Sequence, residues 1–488
     1  MMTVVEKLFE NADRHPDKLA VVFEKEEISY GELKSSVIRL ASWFKQQGIL
    51  VGDRIVAQAA YDKWFIAAYY AAHLCGAVIV PIEKTVTKET ISGIVERLDA
   101  KAVVSKLFSG SAISLNYRDM DAVLSQVEEQ PWVFPAEDLV ANIMLTSGTT
   151  GPQKGAMLTQ KNLAVNSLVR WHEFEVKEET VGITILPLNH VGSSRMWDTA
   201  IYSGGTYIFL DGLIKLRKFY EYIEKYHVTT FNMSPSGIAT LEQLSQDKLH
   251  EYADQLDYAY VHAAPIQEPQ QSFLRRMLPQ SRLYYSYGTS ENGTISLHRF
   301  DRDEKGIRCT GKPCEGVDLK ILDDDLNELG RGEQGRVAIR TEMNCKGYWN
   351  MPELTESVYH DGYFLSNDAG YLDDEGFLYV LGRIDDVINI GGLKVHPSEI
   401  EKAALEIDGI EECLCFDVPN AITGSAAKLL VRQREGAGLT GRGIHSALMG
   451  KLDTYKVPAS IEFVSEIAKN SVGKPDRKYY RSRERSKL

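Results

Sequence analysis

The sequence predicts an α/β protein of more than one domain, and three observations carry that reading. Its 488 residues exceed what a single compact core supports. Amphipathic helical stretches alternate with short β-rich runs through the first three-quarters, the pattern of largely parallel sheets. Near residue 340 the texture turns to β residues and turns, and about a hundred residues of mixed α+β follow.

The elements follow in order. "GELKSSVIRLASWFKQQGI" (31–49) has the spacing of an amphipathic helix, and "DRIVAQAA" (53–60) that of a strand. "WFIAAYYAAHLCGAVIVPI" (64–82) holds no Asp, Glu, Lys or Arg and is long enough to cross a bilayer. Its character switches from Ala-rich to β-branched at Gly76, so it reads as a helix, a glycine cap and a buried strand. "LVANIML" (139–145) is a strand, and "LRKFYEYIEKYHVTTFNM" (216–233) a helix followed by a strand. "QGRVAIRTEMNCKGYWN" (334–350) and "EGFLYVLGRIDDVINIGG" (375–392) predict an antiparallel region. Beyond it come helix 396–407, strands 412–418 and 426–433, and helix 441–452. The boundary of this small domain falls near Asp385, dividing the chain into 1–384 and 385–488.

Composition excludes several classes. Apolar residues at 44% and charged residues at 25% are those of an ordinary globular protein. A net charge of -13 argues against nucleic-acid binding. The one basic stretch, "KPDRKYYRSRERSKL", reads as a solvated tail. The cysteines Cys75, Cys309, Cys314, Cys345, Cys413 and Cys415 are never spaced as CxxC, which disfavours a disulfide framework or zinc site and fits a reducing cytoplasm. The amino terminus lacks the apolar stretch of a signal peptide.

The segment most informative about chemistry is "MLTSGTTGPQKG" (144–155). Glycines let backbone N–H groups approach phosphate oxygens. Hydroxyls at Thr146, Ser147, Thr149 and Thr150 add donors, and Lys154 adds a positive charge. Alone, the segment also reads as a Ser/Gly-rich surface turn, and it is not a Walker pattern. It does not stand alone. "TSGTTGPQKG" resembles the phosphate loop of the adenylate-forming (AMP-binding) superfamily, in its acyl-CoA synthetase branch. Further segments match in order: "ISYGEL" (28–33), "LPLNH" (186–190), "YSYGTSENG" (285–293), "KGYWN" (346–350), "GYFLSNDAGYLDDEGFLYVLGRIDD" (362–386), "KVHPSEIE" (394–401) and "NSVGKPDR" (470–477).

The resemblance implies a large N-terminal domain of βαβ-type layered sheets with a β-barrel-like subdomain, then a small mobile α+β C-terminal domain. It implies a ligase that attacks the α-phosphate of ATP with a carboxylate, releases pyrophosphate, and passes the acyl group from the adenylate to the thiol of coenzyme A. The acid would be fatty or aryl. The alternative acceptor is the phosphopantetheine thiol of a separate carrier protein. The enzyme would act as a monomer or homodimer, with no nucleic acid and no membrane span. By the same resemblance, Thr146, Ser147, Gly148, Thr149, Thr150, Gly151 and Lys154 hold the β- and γ-phosphates. Tyr287 and Gly288 lie beside the adenine with Ala263, Ala264 and Pro265, and Ser290 lies near the α-phosphate. Glu291 matches the Mg²⁺-associated carboxylate, a hard oxygen ligand suited to that ion. Asp368 matches the carboxylate that binds the ribose hydroxyls, Arg383 another ribose or phosphate contact, and Lys474 the catalytic lysine. Asp385 occupies the hinge, where a short segment absorbs a domain rotation.

His190 stands where related ligases place a gate over the acyl site; as a lone histidine it also reads as structural. The acyl pocket would further use Asn232, Ser286, Gly288 and Thr289. "NHVGSSRMWD" lacks the Asp pattern of amino-acid-activating relatives, which disfavours a free α-amino acid. Arg195 would meet a second carboxylate on the substrate or pair with Asp198, the pairing being favoured. The chain departs from the family at Gln153, at Ala263–Ala264 in place of Gly-Gly, at Ser290 in place of Thr and at "SND" (366–368). None of these changes removes a charged catalytic group.

Overall fold

A computed structural model describes the chain except residues 25, 108–109, 111, 147–153, 213–215, 246, 307, 391–392, 421–422, 470–474 and 486–488. It separates into two compact units, residues 1–319 with 339–364, and residues 320–338 with 365–488.

The first unit is layered α/β. One sheet runs in the order Ile113–Asn116, Ala100–Ser105, Arg54–Gln58, Val78–Ile82, Val140–Thr146 and Lys154–Thr159. Its strands are parallel until the last pair, an antiparallel hairpin that matches Thr146 with Lys154. That hairpin holds the two ends of the hydroxyl-rich loop side by side. A second sheet places Leu19–Val22, Thr206–Phe209, Val181–Thr184, Thr230–Met233, Tyr258–Val261 and Arg282–Thr289 in parallel sequence, with antiparallel strands at both margins. The parallel strands are apolar on both faces because helices cover both.

The segment from Trp64 resolves as expected. Helix Lys63–Leu74 is buried all round from Trp64 onward, Gly76 turns the chain at φ +69°, and Val78–Ile82 enters the sheet. Among the described residues no helix is long and apolar enough to cross a membrane. The helix read at 31–49 is Tyr30–Gln46, started by a reciprocal cap between Ser29 and Glu32.

The second unit holds the antiparallel pair Tyr363–Leu372 and Leu378–Arg383 and a sheet centred on the long hairpin Ile410–Asn420 and Gly424–Gln433. Helices Pro397–Leu405 and Gly441–Met449 cover an apolar core of Ile388, Ile400, Leu429, Val431 and Leu448. The described part of the basic stretch is not a solvated tail. Helix Arg477–Arg485 lays Tyr480 over Phe416 at 5.9 Å. Arg481 pairs with Asp417 and, at 2.7 Å, with Asp386; Arg477 pairs with Glu401 at 2.5 Å. The sequence window hid these partners because they lie far upstream.

Candidate active site

Ser147, Gly148, Thr149, Thr150, Gly151 and Lys474 lie outside the described residues. What the first unit shows is the frame around the loop. "KGYWN" forms backbone hydrogen bonds along the strand that leaves the loop: Met157 N–H to Gly347 O at 2.9 Å and Trp349 N–H to Gly155 O at 2.8 Å. Gly155 is required there, since a Cβ would come within 2.7 Å of Ile143. This pairing puts the Tyr348 ring 5.4 Å from the Lys154 ammonium. The Tyr348 hydroxyl donates to Glu291 Oε1 at 2.9 Å. Burial and then the Glu291 charge hold that phenol well above its usual range. Lys154, Tyr348 and Glu291 thus form one continuous cluster. Within "KGYWN" nothing local marks Tyr348; its place in the ordered motifs is the one signal for it in the sequence.

Glu291 is fixed on its backbone as well. Its N–H donates to Thr289 Oγ1 at 3.2 Å, and its carbonyl accepts from Cys345 N–H at 2.6 Å. The Thr289 hydroxyl donates to Asn292 at 2.7 Å. Tyr287 and Gly288 flank a register shift against Gly293–Arg299, and Gly288 has no room for a Cβ, which would lie 2.2 Å from the Gly293 carbonyl. Ala263, before Ala264 and Pro265, sits at φ +74°. That is the left-handed region where the family's glycine would be unstrained.

His190 caps helix Val191–Ser203, its Nδ1 accepting from Gly192 N–H at 3.0 Å. His262 stacks on Tyr260 at 4.6 Å and meets Asn232 at 3.2 Å. A Cβ on Gly192 would lie 2.5 Å from His262 and 2.9 Å from His190, so glycine lets both imidazoles reach one wall. Ser286 and Tyr260 share a hydroxyl hydrogen bond of 2.6 Å.

The favoured ion pair between Arg195 and Asp198 is not formed. Arg195 Nη2 instead donates to the Ser290 carbonyl at 3.1 Å. Asp198 accepts from the Tyr69 and Tyr70 hydroxyls at 3.0 and 2.8 Å. Burial pushes its carboxyl up to about 7, against the pull of those hydroxyls. Asn142, on the strand that leads to the loop, donates to Tyr69 at 2.8 Å and accepts from His73 at 2.7 Å. Burial lowers His73 to about 4, so it stays neutral.

In the second unit, Asp368 and Arg383 face each other across the antiparallel pair, with Nε 3.7 Å from Oδ1. Asp385 accepts from the Asn367 amide.

A family model described as AMP-binding enzyme matches residues 8–349, well over half the chain. The chain belongs to the AMP-binding enzyme family. A second model of that family, AMP-binding enzyme C-terminal domain, matches residues 399–474. The chain is 26% identical to the long-chain-fatty-acid–CoA ligase of Bacillus subtilis (strain 168), over 96% of this chain and 92% of that protein. It is 27% identical to the feruloyl-CoA synthase of Amycolatopsis sp, over 92% of each. The solved structure of ATP-bound MatB from Rhodopseudomonas palustris superposes with a TM-score of 0.90 at 26% identity, over 99% of each chain. This family's large N-terminal and small C-terminal domains are the fold class expected from sequence.

Proposed function

We propose that the Lys154–Tyr348–Glu291 cluster is the polyphosphate end of the active site. The chain is an AMP-forming acid–CoA ligase that uses ATP, CoA and a small-molecule carboxylic acid. The carboxylate attacks the α-phosphate, pyrophosphate leaves, and the CoA thiol then displaces AMP from the acyl-adenylate. The first step brings two anions together, so catalysis is charge neutralisation and in-line positioning.

The observation that carries the reading is the Tyr348 bridge. It sets a lysine at the loop exit and a carboxylate beside Ser290 on one small surface. Lys154 and the loop from Thr146 to Gly151 hold the outer phosphates, while Ser290 donates near the α-phosphate. Glu291 fits a Mg²⁺ ligand, since Tyr348 takes only one of its oxygens and this ion keeps waters and phosphate oxygens as its other ligands. Bound there, the ion neutralises phosphate charge. Tyr287 with Ala263–Pro265 receives the adenine, and Asp368 with Arg383 the ribose. His190, Asn232, Ser286, Gly288 and Thr289 line the acyl site. Lys474 reaches the acid carboxylate and α-phosphate from the domain 385–488, which turns about Asp385 to exchange the two half-reactions.

The acceptor is free CoA rather than a separate carrier protein. The enzyme works in the cytoplasm as a monomer or homodimer. Glu291→Gln is expected to slow acid-dependent pyrophosphate release by about 10²–10³-fold, and Tyr348→Phe by about tenfold. Release by Glu291→Gln at the parental rate would remove the carboxylate from the site.

A further inference from the structure

The guanidinium of Arg195 is buried beside Ser290, and among the described residues no carboxylate pairs with it. Of its five N–H donors, one is used, on the Ser290 carbonyl. Among the described residues it forms no ion pair. Asp198, one helical turn away, is occupied by two tyrosine hydroxyls. Glu291 attracts it from beyond ion-pair distance, as Tyr69 and Tyr260 would if ionised.

A second cation makes the imbalance worse. Arg170 is 2% exposed; it donates to Thr294 Oγ1 at 2.8 Å and packs over the rings of Phe174 and Tyr260, each at 4.9 Å. Its Nε has no hydrogen-bond partner, and it too forms no ion pair among the described residues. Burial, and then Arg170, lower the Arg195 pKa to about 10. Two buried like charges with no paired anion among the described residues are heavily penalised. A guanidinium is the side chain best shaped to take a carboxylate through two parallel hydrogen bonds.

We propose that Arg195, supported by the Arg170 charge, binds a second carboxylate on the acid, so that the substrates are dicarboxylic acids. This rests on the active-site reading above: one carboxylate is adenylated beside Ser290 while the other is held by Arg195. Arg195 is then a specificity determinant, since it touches the end of the acid that does not react.

The test is pyrophosphate release with length-matched pairs: succinate against butyrate, glutarate against pentanoate, adipate against hexanoate. The parent enzyme is expected to favour one diacid over its matched mono-acid by roughly tenfold or more in kcat/KM. Arg195→Met should lose about 10²-fold on that diacid, with a much smaller change on the mono-acid. Arg195→Lys should recover part of the loss. A parent enzyme that prefers the mono-acid throughout, or an Arg195→Met variant that slows both acids equally, overturns the proposal and leaves the ligase reading standing. Release with none of the diacids also overturns the proposal, and only silence with long-chain fatty and aryl acids added to the panel overturns the ligase reading itself. If Arg195→Met fails to fold by its melting curve, the parent's matched-pair preference alone decides.

Discussion

Ala263 carries a left-handed backbone at φ +74° on a residue with a Cβ. An L side chain in that region costs about 1–2 kcal/mol. Ala263→Gly relieves it and loses part of the gain to a freer unfolded chain. The expected net effect is up to about 1 kcal/mol of added stability, read from the urea midpoint. The buried pair Asp198 and His73 gives a second, sharper expectation. Asp198 rises from 3.8 to about 7 on folding, so the folded state keeps a proton that the unfolded chain loses, and stability falls as pH rises through that window. His73 drops from 6.5 to about 4, so the unfolded chain takes up a proton that the folded state refuses, and stability falls as pH falls through that window. The two slopes oppose each other between about pH 4 and 6.5. Asp198→Asn, which still accepts from the tyrosines, unmasks His73. Its stability should climb by about 1.4 kcal/mol per pH unit across that range while the parent stays nearly flat. Urea titrations of both proteins check it, and parallel profiles would show that the carboxyl does not hold its proton.

At the scale of elements, helix Arg477–Arg485 is the instructive case. Periodicity and caps placed helix Tyr30–Gln46, strand Val140–Thr146 and helix Pro397–Leu405 close to where they stand, because those signals are local. The terminal helix was illegible because its stability is not local. Arg481 reaches Asp417 and Asp386, 64 and 95 residues away in sequence. A short window shows only its basic face. The same limit hid Tyr348, whose neighbours are Lys154 on a strand of one sheet and Glu291 in the turn between two strands of the other. The chemistry-bearing motifs were readable in order, but which of them touch depends on pairings such as Ala156 with Tyr348. Because Asp386 and Asp417 are both mostly covered, Arg481→Met should destabilise the second unit by about 3 kcal/mol. Faster native-state hydrogen exchange in strand Ile410–Asn420 is the readout, with strand Arg54–Gln58 unchanged.

At the scale of the whole molecule, the assigned residues divide between two compact units. Lys154, Ser290 and Glu291 belong to the first, Asp368 and Arg383 to the second, and Lys474 falls in the stretch that matches the family's C-terminal domain. On the proposed assignment, the reaction needs groups from both units on one triphosphate. The resemblance supplied that division of labour, since no composition or periodicity in either unit points to the other. Rapid-quench measurement of acyl-adenylate on a single enzyme-bound ATP, in parent and Lys474→Ala, tests it most directly. Adenylate formation should slow by about 10²–10³-fold in the variant, with the melting temperature unchanged. Formation at the parental rate would mean that the lysine of "SVGKPDR" never reaches the α-phosphate, and the two-unit mechanism would fall.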